Sequence, residues 1–241
     1  LRHYDRRQGL SSHITNCAIE DERGLMWFGT PAGLNSFDGH SFRHFFAKDG
    51  LASNEVDRLN LDGEGYLWIW DLNRFGAKTA LHLSFMNAET GRILSLEERF
   101  DSFPCPLSYI VSTTQTPGGE ILLGSRDGRL IIYRPGRGFE QLDLSRYFPG
   151  SSKQLVSAFP VNSADADRFW IRYVYEPGQR ALFQIDSSGQ LSGKISHFEE
   201  DILHPAGEDE EGRLWFWQSD YSGLQNTTLC HLSSSAEQEP A

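Results

Sequence analysis

Apolar residues along this chain alternate with polar ones or run in short bursts, and no window carries a helical stripe. Ile14, Cys17 and Ile19 precede Asp21, and Leu25 and Trp27 follow Gly24. β-Branched and aromatic residues are plentiful, so the pattern predicts short, half-buried strands. Asp-x-x-Gly falls between the first two bursts. Asp can accept hydrogen bonds from the backbone just ahead of it, and Gly takes a positive φ, so this spacing is turn chemistry. The Trp three residues further on then stands on the second strand of a hairpin and points into a packed layer. Gly29 to Gly33 reads as another turn, Leu34 to Phe37 as a third strand and Phe42 to Phe45 as a fourth.

The frame returns 41 residues later: Gly9-Leu10 as Gly50-Leu51, Asp21 as Asp62, Gly24 as Gly65, Trp27 as Trp68. It appears again as Asp209, Gly212 and Trp215. Two degenerate copies lie between. One has Thr116, Gly119 and Leu122; the other has Ala164, Asp167 and Trp170, and Asp at a Gly position is tolerable because Asp enters the left-handed region readily. The anchors Trp27, Trp68, Leu122, Trp170 and Trp215 are thus 41, 54, 48 and 45 residues apart. Four short antiparallel strands in about 40–45 residues is the blade pattern of a β-propeller. The fold class expected is all-β, with five recognisable four-stranded blades.

The segment Ile19 to Gly39 resembles the two-component-regulator propeller repeat, which occurs in the extracytoplasmic sensor region of bacterial hybrid two-component systems. The first unit matches its pattern nearly throughout, including Gly33-Leu34-Asn35 after the Trp strand. The second matches through Trp68 and departs at Trp70, and the later units keep the turn and the apolar strands. The resemblance implies propellers, usually seven-bladed and often two in tandem, that pass a signal across a membrane to a kinase or other output domain on the parent chain. It places the segment on the periplasmic or extracellular side of a bacterial membrane protein. It also implies a carbohydrate or related small molecule, such as an oligosaccharide, as ligand.

Five units divide the chain at residues 9–46, 51–100, 109–147, 155–198 and 202–232, all within one propeller of residues 1–232. Leu1 to Asp5 reads as a spare outer strand, and residues 233–241 as a disordered tail or linker. Pairing 1–5 with Leu229–Leu232 would close a five-bladed ring without exposed edges. The other reading is the first part of a seven-bladed propeller. The chain begins at Leu1 with no signal peptide, as a processed or truncated product would.

Charge narrows the partners. Asp and Glu number 33 against 22 Lys and Arg, a formal net charge of −11, so a nucleic-acid or anionic-membrane surface is not expected. No apolar run is long enough to insert into a membrane. Cys17, Cys105 and Cys230 have no metal-like spacing. His40 and His44 are four apart on a strand, about 13 Å, too far to share a metal. No nucleophile elbow, phosphate loop or zinc-helix motif occurs, so no catalytic residue, cofactor or metal is expected and the reading is non-enzymatic.

The units differ most in the link between second and third strands. It is short in unit one but swells in unit two to Asp71, Asn73 and Arg74, in unit four to Tyr173 and Tyr175, and in unit five to Asp220 and Tyr221. Loops on a rigid scaffold carry function. Trp70, Tyr173, Tyr175 and Tyr221 would offer aromatic platforms beside polar Asp71, Asn73, Arg74 and Asp220, a combination that suits a sugar. Against this, Trp70 lies two residues after Trp68 and shares its strand face, where it would pack between blades. The repeat residues Asp21, Gly24, Trp27, Asp62, Gly65, Trp68, Gly119, Trp170, Asp209, Gly212 and Trp215 read as scaffold. The expectation is a ligand-binding sensor module, acting by a shift in geometry or as a homodimer. A protein-interaction scaffold without a small-molecule site is the alternative, and a propeller lyase or hydrolase the third.

Overall fold

A computed structural model describes residues 4–71, 81–147, 155–159, 168–176, 179–186, 188, 190–191, 196–199, 202–208, 213–219 and 227–232. The chain divides into two compact units, Leu1–Ser108 and Tyr109–Ala241. Both are built from antiparallel sheets, each laid down in chain order.

The first unit holds two four-stranded sheets. One runs β1 (Cys17–Glu20), β2 (Met26–Thr30), β3 (Gly33–Phe37), β4 (Phe42–Phe45); the next runs β5 (Arg58–Leu61), β6 (Tyr66–Asp71), β7 (His82–Asn87), β8 (Ile93–Leu94). A one-turn helix, α1 (Leu96–Arg99), follows. The two sheets stack face to face. Trp27, Leu34 and Phe45 of the first meet Val56, Leu59, Leu67, Ile69 and Met86 of the second in one core.

The second unit repeats the plan. Its sheets are β9 (Ile110–Gln115), β10 (Ile121–Ser125), β11 (Arg129–Arg134), β12 (Gly138–Asp143), and then β13 (Leu155–Phe159), β14 (Arg168–Glu176), β15 (Gln179–Asp186), β16 (Ser196–Glu199). A three-stranded sheet, β17 (Ile202–Glu208), β18 (Leu214–Ser219), β19 (Thr227–Leu232), completes the described strands. Leu122, Leu130 and Ile132 pack on Ile171, Tyr173 and Phe183. β10 is buried along its whole length, as a strand covered on both faces must be, whereas β12 lies at a half-exposed outer edge. Antiparallel sheets of four strands or, in one case, three, laid down in chain order and packed face to face within a unit, are the blades of an all-β propeller architecture.

The repeated Asp and Gly build one hairpin. Gly24, Gly65 and Gly119 hold φ of 78°, 79° and 79°, a conformation that Gly alone adopts without a Cβ penalty. Gly24 N donates to Asp21 O, and Asp21 N to Leu25 O, and both bonds recur around Asp62 and Thr116. This is a type I turn closed by a left-handed residue, the usual three-residue hairpin. The side chain finishes it. Asp21 Oδ1 accepts from Arg23 N and Leu25 N, and Asp62 Oδ1 from Glu64 N and Tyr66 N. In each case the second carboxylate oxygen accepts the indole N–H of the anchor, Trp27 at 3.1 Å and Trp68 at 2.9 Å. The Asp is therefore turn former and indole acceptor at once.

Gly9-Leu10 and Gly50-Leu51 are also explained. Each pair closes a single 3-10 turn, Arg6–Gln8 or Ala47–Asp49, with two backbone bonds of the Schellman pattern. Just beyond, Ser11 N donates to Asn35 Oδ1 on β3, and Ala52 N donates to Ser84 Oγ at the matching place on β7. The approach to each sheet is thereby pinned to that sheet's third strand. Tyr4 packs on Phe37 and Phe42, and Asp5 caps the first 3-10 turn; neither lies in a strand. Residues 1–3 and the tail 233–241 lie outside the described residues, and with them the expected pairing of 1–5 with Leu229–Leu232.

Candidate functional site

The sheets bring two places in the first unit to notice. The first is the end of β6, where the repeat breaks. By register, Trp70 stands where the first sheet has Gly29, and Asp71 where it has Thr30. Gly29 is dictated by packing: a Cβ there would sit 2.5 Å from Cys17 Sγ and 2.7 Å from Val56 Cγ1. In the second sheet the large ring is accommodated instead. Trp70 is fully enclosed, its ring 6.1 Å from that of Trp68, with Nε1 donating to Asn60 Oδ1 at 3.1 Å. It presents no face to solvent. Asp71 is 2% exposed, and its Oδ2 lies 3.2 Å from Nδ1 of the half-exposed His82 directly across the pair of strands. A carboxylate can only accept, so Nδ1 carries the proton. Asp71 and His82 thus form a fixed polar pair at the root of the long second link.

Tyr173 lies in β14 and is fully buried beside Phe183, ring centroids 6.5 Å apart. Burial, with the Asp143 carboxylate adding to it, pushes its phenol far above the ordinary range. Like Trp70, it is part of a core and not an open platform. Tyr175 follows on β14, with its side chain outside the described residues. Asn73, Arg74, Asp220 and Tyr221 also lie outside them, as do Asp209 and Gly212 of the repeat. Trp27, Trp68 and Trp170 are buried on β2, β6 and β14, and Trp215 on β18 is half-buried.

The second place is an open hollow of about 380 Å³ at the approach to the first sheet, lined by Arg6, Gly9, Leu10, Ser11, Ala32, His44 and Phe46. Its floor is a polar network. Ser11 Oγ bonds Thr30 Oγ1 at 2.9 Å and accepts from Asn35 Nδ2 at 2.8 Å, and Thr30 and Asn35 are wholly buried. On its wall, Nε2 of His44 lies 2.6 Å from Gly9 O. A carbonyl only accepts, so Nε2 carries hydrogen and Nδ1 keeps its lone pair. The His44 and Phe46 rings stack at 6.0 Å and 24°. Sequence reasoning passed over this group. The signal was present in the repeat itself, because Ala47 stands 41 residues after Arg6 and offers no cation. Among the described residues, no group of three His, Cys, Asp or Glu side chains could hold a metal ion.

No protein-family model matches this chain, and no curated protein matches it. Solved structures do. The chain is similar to the extracellular domain assigned to a hybrid two-component system of B. thetaiotaomicron, at 17% identity and TM-score 0.54, over 88% of this chain and 29% of that one. It is similar to regucalcin, a calcium-binding protein from Agrobacterium tumefaciens, at 17% identity and TM-score 0.52, over 87% of this chain and 69% of that one. A gluconolactonase from Xanthomonas campestris matches at 14% identity and TM-score 0.50, over 87% and 70%. The chain spans less than a third of the two-component domain. These likenesses establish the propeller-type fold. No described helix is long and apolar enough to cross a membrane.

Proposed function

We propose that this chain is part of the extracytoplasmic sensor region of a bacterial two-component signalling protein, a member of the two-component-regulator propeller family. One observation carries the reading: the blade built on Asp21, Gly24 and Trp27 occurs in a chain whose fold follows such an extracellular domain over 88% of its length. The parent protein would carry a kinase or other output domain, and the segment would lie on the periplasmic side. The ligand would be a carbohydrate or related small molecule. Asn73 and Arg74, in the stretch that follows β6 in the sequence, are the residues we assign to its contact, and the buried Asp71–His82 pair fixes the end of β6 from which that stretch leaves. Trp70 is packed in the core of that strand.

Melting of the purified chain against a panel of neutral and acidic oligosaccharides tests this. A ligand that binds only the folded state adds about 2.7 kcal/mol at a hundredfold excess over its Kd, roughly 5–10 °C for a chain of this size. The shift is expected to vanish in Arg74→Ala and to survive in Arg137→Ala, an exposed position on the second unit. A sharp melt that no sugar moves would favour a partner-binding scaffold, and turnover of an aldonolactone by the same sample would favour an enzyme.

A further inference from the structure

The hollow beside the first sheet has a chemistry that the sensor reading does not use. Three of its features are independent of the scaffold. Arg6 is exposed and makes no ion pair or side-chain hydrogen bond with any described residue. His44 has its Nε2 committed to Gly9 O, which leaves Nδ1 without a partner among the described residues. Phe46 is half-buried, with the His44 ring stacked on it and the Lys48 ammonium 5.3 Å from its centroid.

None of this is required by the blade. The second sheet reproduces the approach turn, the left-handed Gly50 and the pinning of Ala52 to Ser84, yet replaces the cationic residues. Phe42 lies beside Gly9 as Ile93 lies beside Gly50, so Ser95 occupies the place of His44, and Ala47 that of Arg6. The same backbone thus forms without the cation and without the imidazole.

Local charge points to the ligand. On a chain of formal net charge −11, Arg6, Arg7 and Lys48 here outnumber Asp5 and Asp49. Both of those carboxylates are engaged by backbone, Asp5 by Arg7 N and Asp49 by Phe46 N. A guanidinium matches a carboxylate with paired donors, the unprotonated Nδ1 of the imidazole can accept from a ligand hydroxyl, and an aromatic ring beside Leu10 and Ala32 adds apolar contact. The volume, about 380 Å³, is at the small end of ligand sites.

We propose that this hollow binds a small carboxylate carrying a ring with an apolar face, with Arg6 gripping the carboxylate, His44 Nδ1 accepting from a ring hydroxyl where the ring has one, and Phe46 supporting the ring. The ring can be that of a sugar acid or of an aromatic acid, since the shared chemistry is a carboxylate beside a ring face. This site uses none of the residues assigned to the sugar contact, so either can fail without the other.

Titration calorimetry on the intact chain with glucuronate, benzoate and glucose tests it. At least one carboxylate is expected to bind, and glucose not to. Which carboxylate binds assigns the ring as sugar or aromatic. In Arg6→Gln the affinity is expected to fall about tenfold or more, the loss of one charged hydrogen-bonding partner. Arg7→Gln, which alters a neighbouring cation that does not line the hollow, is expected to leave it within about twofold. Arg74→Ala is expected to leave it intact, which separates this site from the proposed sugar contact. Both Arg6 and Arg7 are exposed, so neither variant should disturb folding. Binding of neither carboxylate at millimolar concentration, equal binding of glucose, or equal loss in Arg6→Gln and Arg7→Gln would overturn the proposal.

Discussion

Trp68 Nε1 donates to Asp62 Oδ2 at 2.9 Å in a buried contact, and Trp27 makes the same bond to Asp21 at 3.1 Å in the neighbouring sheet. The bond ties the strand that carries the core anchor to the turn that precedes it. Asp62 also accepts Glu64 N and Tyr66 N, and Arg99 stands 3.6 Å away. Truncation to Ala therefore orphans several donors at once.

Asp62→Ala is expected to cost on the order of 2–4 kcal/mol, because each buried donor left without a partner costs about 1–3 kcal/mol and some will find water. In a double-mutant cycle with Trp68→Phe, urea melts should return a coupling of about 1–2 kcal/mol. A coupling near zero would mean that the indole bond contributes nothing beyond the turn itself.

The two carboxylates should respond to pH in opposite senses. Burial acts to raise Asp21, but the Arg23 guanidinium, the Trp27 indole and the N–H groups of Leu25 and Arg23 outweigh it, and the group lies below its ordinary value. Its contribution is present above the unfolded-state pKa and is lost as pH falls. Asp62 is more deeply buried, and burial wins over the Trp68 indole, Tyr66 N, Arg99 and Glu64 N, so it lies above its ordinary value. Its contribution is present at low pH and is lost as pH rises through the folded-state value. Stability of the native chain minus that of Asp21→Asn should thus grow from about pH 3 to pH 6, and the same difference for Asp62→Asn should shrink. Parallel curves would contradict the assignment.

Blade architecture was legible because a turn that needs Gly and Asp, placed before a buried indole, leaves a periodic mark on the sequence. The indole bond itself was not read, although its trace was there. Where Asp gives way to Thr116, the Trp six residues on gives way to Leu122, as expected if the two residues are partners. Trp70 and Tyr173 are not the open platforms that the ligand reading asks for; Trp70 instead packs beside Trp68, the alternative that their shared strand face offers. A loop's length says where chain leaves the sheet, but not which way the last strand residues face; both rings turn inward onto Trp68 and Phe183. The hollow at Arg6 and His44 was illegible for a different reason. It joins a turn before the first strand to the end of the fourth, and only the fold brings those together.

The fourth sheet breaks the partnership, and this makes a prediction. Ala164 stands six residues before Trp170, where the first two units have Asp, and Trp170 Nε1 is buried without a partner among the described residues. Replacing Trp170 by Phe removes a buried donor that no described residue satisfies, whereas Trp68→Phe strips Asp62 of a hydrogen bond. Trp170→Phe should therefore cost less than Trp68→Phe, by about 1 kcal/mol or more, in matched urea melts. Equal costs would show that ring volume alone decides both.

Gly29 and Gly65 are glycine for different physical reasons, and Ala substitution separates them. Gly65 has φ of +79° and open space around a would-be Cβ, so its cost is conformational, about 1 kcal/mol. Gly29 has no such φ. Its would-be Cβ lies 2.5 Å from Cys17 Sγ, 2.7 Å from Val56 Cγ1 and 3.0 Å from Val56 O, so the second sheet must move away. Overpacking of this kind costs about 1–3 kcal/mol. Adding Cys17→Ala removes the nearest of these atoms and should restore part of the loss in Gly29→Ala, while leaving Gly65→Ala unchanged. Val56 O is backbone and cannot be trimmed, so recovery should stay incomplete even when Val56→Ala is added. Full recovery would place the strain in side chains alone, and no recovery would mean that the two sheets do not approach this closely.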